Sequence, residues 1–416
     1  MPSFLKSIST NISKSRMIQM KLTPEEKEML NGKHGRAAQK SMEILTTLGE
    51  IFQAESMVKV YGVQIAGVSY ANLGEAGLEF LNEMAEDGQV RVLTTLNPAG
   101  MDRENWQVLG IDGEFAKNQN RVIDTFAKMG IITTCSCTPY LIGNTPHYGQ
   151  HIAWAESSAV CYANSVIGAR TNREGGPSAL ASAITGKTPD YGYHKENNRH
   201  GQVLFKINTS INGTDQFGVL GKLIGDKLGA LEKKIPYISG IPEASVEELK
   251  SFCASVATYG GTALFHMEYI TPEYDKYSKP SDLIFEINRD DLERARSELI
   301  DEDNEIDFIS IGCPHATIHE IANIAELLKG KKVKKEFWIT TARPIKKLAD
   351  AAGYSEIIEN AGAKFAADTC CVVAPIKQRF KGIMVDSAKA CYYGRAKNKF
   401  KVKLGTMEEC IKEATK

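Results

Sequence analysis

The pattern of apolar and polar positions over residues 58–98 predicts three elements in a row. Residues 58–66 are apolar and rich in β-branched side chains, as in a buried strand, and the turn Gly67-Val-Ser-Tyr70 follows. From Leu78 to Met84 the apolar positions recur at helical spacing, and residues 90–96 predict a second strand that ends at Asn97-Pro98. The segment is therefore expected to form a strand–turn–helix–strand unit.

The same order of elements begins again at residue 306. A strand over 306–311 leads to the turn Gly312-Cys-Pro-His315, a helical pattern runs from Ile318 to Leu328, and a strand follows over 336–341. Each copy then continues through a helix and a short strand to a cysteine. This recurrence favours an internal duplication, with a chance similarity between two βαβ units as the alternative.

Strands that alternate with helices predict an α/β fold whose mostly parallel sheets are covered by helices on both faces. In such sheets, ligands bind beyond the carboxyl ends of the strands. The turn at Gly67 and three cysteines, Cys137, Cys313 and Cys370, fall at such ends. We therefore expect the functional site at these turns.

These three cysteines differ from the others in their context. Each follows a short apolar stretch and has a turn-forming residue or proline close behind it, whereas Cys161, Cys253 and Cys410 resemble ordinary packed residues. The long separations exclude a compact zinc knuckle. An iron–sulfur cluster between distant segments, a redox or nucleophilic cysteine, and simple packing all stay open on spacing alone.

Composition narrows the class of protein. The chain has 416 residues, with 50 Lys+Arg against 51 Asp+Glu, so its overall charge does not indicate nucleic acid or an anionic membrane as partner. Nine cysteines, an odd number, do not predict a disulfide framework. A reducing cytoplasm is therefore expected.

The chain is expected to divide into three parts. Residues 1–20 contain basic residues but no acidic residue and no continuous apolar stretch, which predicts a flexible extension and not a secretory signal. Order is expected from the capping box at Thr23, and a second capping box at Ser245 predicts the start of another helix. The polar stretch 270–280 has the composition of a linker, which predicts α/β regions over 21–270 and 281–416.

Three polar features are further candidates for chemistry. The turn from Arg170 to Gly176 combines arginines with glycines, which suits an anion site, although a solvated loop is equally expected. Glu156 is a single acid among small and apolar residues, and Lys389 has a similar setting near the C-terminus. A charge in such surroundings is unfavourable unless it is paired or functional.

Taken together, these segments resemble the aconitase X family over nearly the whole chain after residue 20. The resemblance rests on seven segments in this order: AGVSY (66–70), TLNPA (95–99), TCSCTPY (134–140), AESSA (155–159), NSVIGARTNREGGP (164–177), IGCPH (311–315) and DTC (368–370). It implies an aconitase-like multidomain α/β fold, with duplicated parallel-sheet units and an iron–sulfur cluster in the cleft between them.

The resemblance also implies the ligands and the reaction. Cys137, Cys313 and Cys370 match the family's cluster ligands for a 4Fe-4S cluster; Cys137 is preferred to Cys135 because the family motif is Cys-x-Pro-Tyr. The implied activity is dehydration of a hydroxy acid, which in archaeal members is (R)-5-phosphomevalonate, giving trans-anhydromevalonate 5-phosphate for isoprenoid synthesis. Alternatives are another hydroxy acid, such as cis-3-hydroxyproline, and a non-catalytic thiol redox protein.

By motif match, the expected substrate-binding residues are Gly67, Val68, Ser69, Asn97, Pro98, Glu156, Ser157, Arg170, Ser387 and Lys389. Glu156 is the catalytic candidate, either protonating the leaving hydroxyl or orienting water. The resemblance further implies a partner. Archaeal relatives carry a small swivelling domain as a separate subunit that supplies the catalytic base, so a heterodimer is expected.

Overall fold

The computed structural model describes residues 20–302 and 305–416. The predicted flexible extension at 1–20 lies outside these residues, apart from Met20. Within the described ranges, helices that are long and apolar enough to cross a membrane are absent.

The first part of the chain, up to residue 200, forms two sheets. The predicted capping box at Thr23 is confirmed: its side chain accepts from the amide of Glu26, and Pro24 begins the first helix. The elements are α1 (Pro24–Leu30), α2 (Arg36–Ile51), β1 (Met57–Lys59), β2 (Gly62–Ile65), α3 (Tyr70–Met84), β3 (Leu93–Leu96), α4 (Gly113–Lys128), β4 (Ala153–Trp154), α5 (Ser157–Tyr162), α6 (Gly176–Thr185) and β5 (Lys187–Pro189).

The strand predicted over 58–66 is two strands. β1 pairs with β5 in an antiparallel ribbon, whereas β2 lies between β3 and β4 in a parallel sheet. The prediction of one continuous strand was wrong because the apolar run continues through Val60, which is buried although it belongs to neither strand.

The middle of the chain forms a second parallel sheet, in the order β8-β7-β6-β9. Helix α8 begins at the capping box predicted at Ser245. The elements are β6 (Val203–Ile207), α7 (Gly213–Gly229), β7 (Pro236–Ser239), α8 (Val246–Gly260), β8 (His266–Met267), β9 (Ile284–Ile287) and α9 (Arg289–Ser297). Strand β9 follows the stretch 270–280 and pairs with β6 before it; the division at this stretch stays a prediction.

The last part forms a five-stranded parallel sheet, in the order β12-β11-β10-β13-β14, with apolar cores on both faces. The elements are β10 (Phe308–Ile311), α10 (Ile318–Leu328), β11 (Glu336–Thr341), α11 (Arg343–Ala351), α12 (Tyr354–Ala361), β12 (Lys364–Ala367), β13 (Gly382–Val385), α13 (Ala388–Tyr393), β14 (Lys401–Leu404) and α14 (Met407–Thr415).

The predicted duplication is confirmed and extends further than the sequence pattern. Isolated parallel bridges join Ile132 to the outer side of β3, and Arg173 to the outer side of β4. The resulting order, 132-β3-β2-β4-173, matches that of the five-stranded sheet. Helices α5 and α13, which follow equivalent strands, each continue into a π-helical turn, over 163–167 and 394–398.

Candidate active site

Cys137, Cys313 and Cys370 line one pocket. Cys137 follows the bridge residue Ile132, whereas Cys313 and Cys370 follow β10 and β12. Cys137 and Cys370 are buried, and Cys313 is half-buried. Residues from both duplicated sheets complete the pocket: Asn97, Pro98, Glu156, Gly312, Val372, Val373 and Lys389.

The turn before Cys313 requires glycine. Gly312 has a φ of 102°, and a Cβ at this position would lie 2.2 Å from the carbonyl oxygen of Thr340. Any side chain would therefore force the turn away from β11. The glycine allows the chain to leave β10 sharply and to hold Cys313 at the pocket.

The environment of the three thiols opposes their ionisation. Burial raises the pKa of Cys137 to about 12, and burial also raises the pKa values of Cys313 and Cys370. The nearby ammonium of Lys389 acts in the opposite direction on all three thiols. They are therefore neutral at pH 7 without a metal, and metal binding would release protons.

The donor types suit an iron–sulfur cluster, because such clusters are held by Cys thiolates and three thiols line this pocket. Lys389, which also lines the pocket, would offset part of the charge of three thiolates. In the described parts of the chain, groups of three His, Cys, Asp or Glu side chains placed to hold a single metal ion are absent.

Glu156 and Lys389 form a buried ion pair on the wall of this pocket. Lys389 Nζ lies 2.5 Å from Glu156 Oε1, which also accepts from Ser158 Oγ at 3.0 Å, and Asn97 Nδ2 donates to Oε2 at 2.8 Å. Burial opposes ionisation of Glu156, but the charge of Lys389 and these hydrogen bonds outweigh it and lower the pKa to about 2. Glu156 is therefore a carboxylate and Lys389 an ammonium.

The turn from Gly67 to Ser69 lies beside this pocket. Ser69 Oγ donates to the carbonyl of Val373, a pocket residue, at 3.3 Å, and the carbonyl of Val68 accepts from Gln119 Nε2 at 3.0 Å. Gly67 borders a neighbouring cavity of about 470 Å³. The structure thus brings the predicted glycine turn close to the thiols.

Two serines begin the helices that flank the pocket. Ser157 is the buried first residue of α5, directly after Glu156. Ser387 precedes α13, and its Oγ accepts from the amide of Ala390 at 3.3 Å, which caps the helix that carries Lys389. Ser387 therefore fixes the start of the helix that positions the lysine.

Arg170 lies away from the thiol pocket. Its guanidinium forms an ion pair with Glu196 and donates to the carbonyl of His194 at 3.2 Å. Arg173, from the same turn, is exposed and lines the 470 Å³ cavity that Gly67 also borders. Of the two arginines, Arg173 is therefore the one that lines the cavity bordered by Gly67.

Ser158, Val372 and Val373 were not predicted from the sequence. Ser158 donates to Glu156, whereas the two valines line the pocket just beyond Cys370. The serine had a signal, since it follows Glu156 in the segment AESSA. The valines had none, because an apolar residue next to a ligand looks like any packed residue.

The arrangement is that of an α/β protein with thiols and an ion pair at the carboxyl ends of duplicated parallel sheets. The chain belongs to the aconitase X family. Models of the family's first, second and third domains match residues 19–197, 201–297 and 306–416.

Two relatives and one solved structure are similar to this chain in sequence. The chain is 44% identical to the phosphomevalonate dehydratase large subunit of Thermococcus kodakarensis, over 95% of this chain and 100% of that protein. It is 30% identical to the cis-3-hydroxy-L-proline dehydratase of Hypocrea jecorina, over 95% of this chain and 69% of the relative. The crystal structure of Thermococcus kodakaraensis aconitase X in its holo-form has a TM-score of 0.89 and 44% identity, with 95% of this chain and 100% of that chain covered.

Proposed function

We propose that this chain is the cluster-bearing large subunit of a phosphomevalonate dehydratase. The enzyme is a hydro-lyase that removes water from (R)-5-phosphomevalonate to give trans-anhydromevalonate 5-phosphate. The observation that carries the proposal is the meeting of three thiols and the Glu156–Lys389 ion pair in one pocket. The identity of 44% to the large subunit named above supports the choice of substrate over cis-3-hydroxyproline, whose dehydratase is 30% identical.

Cys137, Cys313 and Cys370 are the ligands that we propose for a 4Fe-4S cluster. Three protein ligands leave one iron open, and such an iron supplies Lewis-acid chemistry. Cys135 is a less suitable ligand, because it is not among the residues that line the pocket although it is buried nearby. Lys389 offsets part of the negative charge of three thiolates in this buried site.

Glu156 and Lys389 carry opposite charges, and we therefore propose different chemical roles for them. Because Glu156 is ionised, it can accept a proton or a hydrogen bond but has no proton of its own to donate. Of the two roles predicted for Glu156, orienting water is therefore favoured over protonating the leaving hydroxyl. Lys389, with three donor hydrogens, can also bind the substrate carboxylate. Asn97 and Ser158 hold the Glu156 carboxylate in place from two sides.

The phosphate of the substrate requires a cation or free amides. We propose that it binds in the cavity bordered by Gly67 and Arg173, next to the pocket that holds the reacting carbon atoms. A guanidinium suits a phosphate because it can donate two parallel hydrogen bonds. Arg170, in contrast, is already paired with Glu196. Within the predicted turn, the proposed anion-binding residue is therefore Arg173 and not Arg170.

A small partner subunit is also part of the proposal. The relative of 44% identity is named a large subunit, which implies a second chain. Glu156, the carboxylate on the pocket wall, is held by Lys389 and is a poor base at its low pKa. We propose that the partner carries a swivelling domain that supplies the base and covers the pocket. We also propose the reducing cytoplasm as compartment, because cysteines that bind a cluster must stay reduced.

The test is a substrate comparison on the two-subunit enzyme, prepared without oxygen. Phosphomevalonate, mevalonate and cis-3-hydroxy-L-proline are supplied separately, and loss of water is followed by NMR. Dehydration of phosphomevalonate, at a much higher kcat/KM than of the other two, is expected. Faster turnover of cis-3-hydroxy-L-proline would contradict the proposal that phosphomevalonate is the substrate. A colourless, iron-free protein would favour the alternative of a non-catalytic thiol redox protein.

A further inference from the structure

His315 lies between the three turns that carry the thiols. It follows Cys313 by two residues and is 1% exposed. Its Nδ1 lies 3.1 Å from Ser136 Oγ, and its Nε2 lies 3.0 Å from the carbonyl oxygen of Thr369. Ser136 immediately precedes Cys137, and Thr369 immediately precedes Cys370. One imidazole ring therefore links the two other thiol-bearing turns to its own.

The partners of the ring define its tautomer. A backbone carbonyl can only accept, so Nε2 must carry the hydrogen that it donates to Thr369. Nδ1 then accepts from the hydroxyl of Ser136. That hydroxyl oxygen also accepts from the amide of Thr138 at 3.2 Å, which fixes its direction. The neutral ring thus has one donor and one acceptor, and each has a partner.

The backbone of His315 is held as firmly as its ring. Its amide donates to Cys137 Sγ at 3.2 Å, and its carbonyl accepts from Lys250 Nζ at 3.0 Å. Lys250 is buried and forms an ion pair with Glu320 at 2.5 Å. Helix α8, from the middle of the chain, is thereby connected to the thiol pocket.

We propose that His315 is a positioning residue that sets the spacing of the three thiols. The inference rests on the proposed cluster, since that spacing matters only if all three sulfur atoms bind one group. His315 does not need to touch the substrate or the metal in this role. It acts by tying Ser136 and Thr369, the neighbours of two ligands, to the turn that carries the third ligand.

The experiment compares His315→Phe and His315→Gln with a matched control. His266 is also buried (1% exposed), and its Nε2 bonds the carbonyl of Arg199 at 2.7 Å, but it lies on β8 and not at the thiol pocket. The full two-subunit enzyme is loaded with iron without oxygen, and iron release to a chelator is timed. Release should be roughly 10- to 100-fold faster in His315→Phe, as for other residues that orient metal ligands.

His315→Gln keeps a donor for Thr369 and should restore much of the retention, whereas His266→Phe should lower the melting temperature without faster release. The inference would be overturned if His315→Phe retained iron as long as wild type does, or if His266→Phe released iron as fast as His315→Phe.

A second measurement does not depend on iron. In the metal-free protein, Cys137 and Cys370 are alkylated with iodoacetamide and quantified by peptide mass spectrometry. Both should react faster in His315→Phe than in wild type or His266→Phe, because the turns are no longer tied together. Unchanged rates would contradict the positioning role. Iron-free wild-type protein would refute the proposed cluster and leave this measurement intact, so the two failures are distinguishable.

Discussion

Glu156 and Lys389 lie 2.5 Å apart, although they come from opposite copies of the duplicated fold. Glu156 directly precedes α5 and Lys389 is in the first turn of α13, and these two helices follow the equivalent strands β4 and β13. The duplication therefore places the starts of two matching helices on either side of one pocket. An acid from one copy and a base from the other neutralise each other there.

Lys389→Met should impair both stability and turnover. Removing one member of a buried ion pair leaves the other charge unpaired, which costs about 3–5 kcal/mol. The pKa of Glu156 should rise, because Lys389 is the main group that lowers it. Denaturant unfolding of the metal-free chain measures the stability. Glu156→Gln combined with Lys389→Met should recover stability but not turnover; recovered turnover would show that the pair is only structural.

The three proposed ligands should differ sharply from other buried cysteines. Cys137→Ala, Cys313→Ala and Cys370→Ala should each abolish loading of a stable cluster, whereas Cys161→Ala and Cys410→Ala remove packing contacts only. Cys135→Ala should also load, since its side chain does not line the pocket. Cluster loading is measured in each variant as iron content per chain and as visible absorption. A full complement of iron in Cys313→Ala would refute the ligand set.

The arginines of one turn provide a matched pair for the phosphate. Arg173→Ala should raise the KM for phosphomevalonate roughly 10- to 100-fold, the loss expected for a charge-assisted hydrogen bond. Residual turnover of mevalonate should hardly change. Arg170→Ala breaks the ion pair with Glu196 and should reduce stability with a smaller effect on KM. Equal effects of both changes on KM would contradict the assignment.

The chain should bind its cluster alone but dehydrate very slowly until the small subunit is added. The partner is expected to supply the base that Glu156, an ionised carboxylate paired with Lys389, does not provide. Turnover is measured while the partner is titrated into a fixed amount of iron-loaded chain. Full activity without the partner would show that the base belongs to this chain.

His194 should make stability depend on pH. Burial, together with His151, whose Nδ1 lies 2.9 Å from its own Nδ1, lowers the pKa of His194 to about 3. In the unfolded chain it takes up a proton below about pH 6.5. Its stabilising contribution is thus complete above pH 6.5 and is lost as the pH falls towards 3, by up to about 1.4 kcal/mol per pH unit.

The free energy of unfolding at pH 7, 6 and 5 measures this slope. His194→Gln should make the decline shallower, whereas the same change at His147, which is exposed, should leave it as in wild type. An unchanged slope in His194→Gln would show that other groups dominate acid unfolding.

The sequence by itself determined the local elements of this protein. Capping boxes at Thr23 and Ser245 begin helices where predicted, and the strand over 336–341 has the predicted bounds. Gly312 marked the sharp turn before Cys313. Such features depend on neighbours within a few residues, through backbone hydrogen bonds and apolar periodicity, so a single sequence is enough to specify them.

Only the tertiary structure decided which side chains meet. Glu156 pairs with Lys389, and His315 bonds Ser136 and Thr369, although these residues are far apart in the chain. Arg173, and not Arg170, lines the cavity that Gly67 borders. Arg170 and Arg173 are indistinguishable as letters in one polar turn. Their different partners follow from how the sheets pack together, because a guanidinium pairs with whichever carboxylate the fold brings within reach, here Glu196.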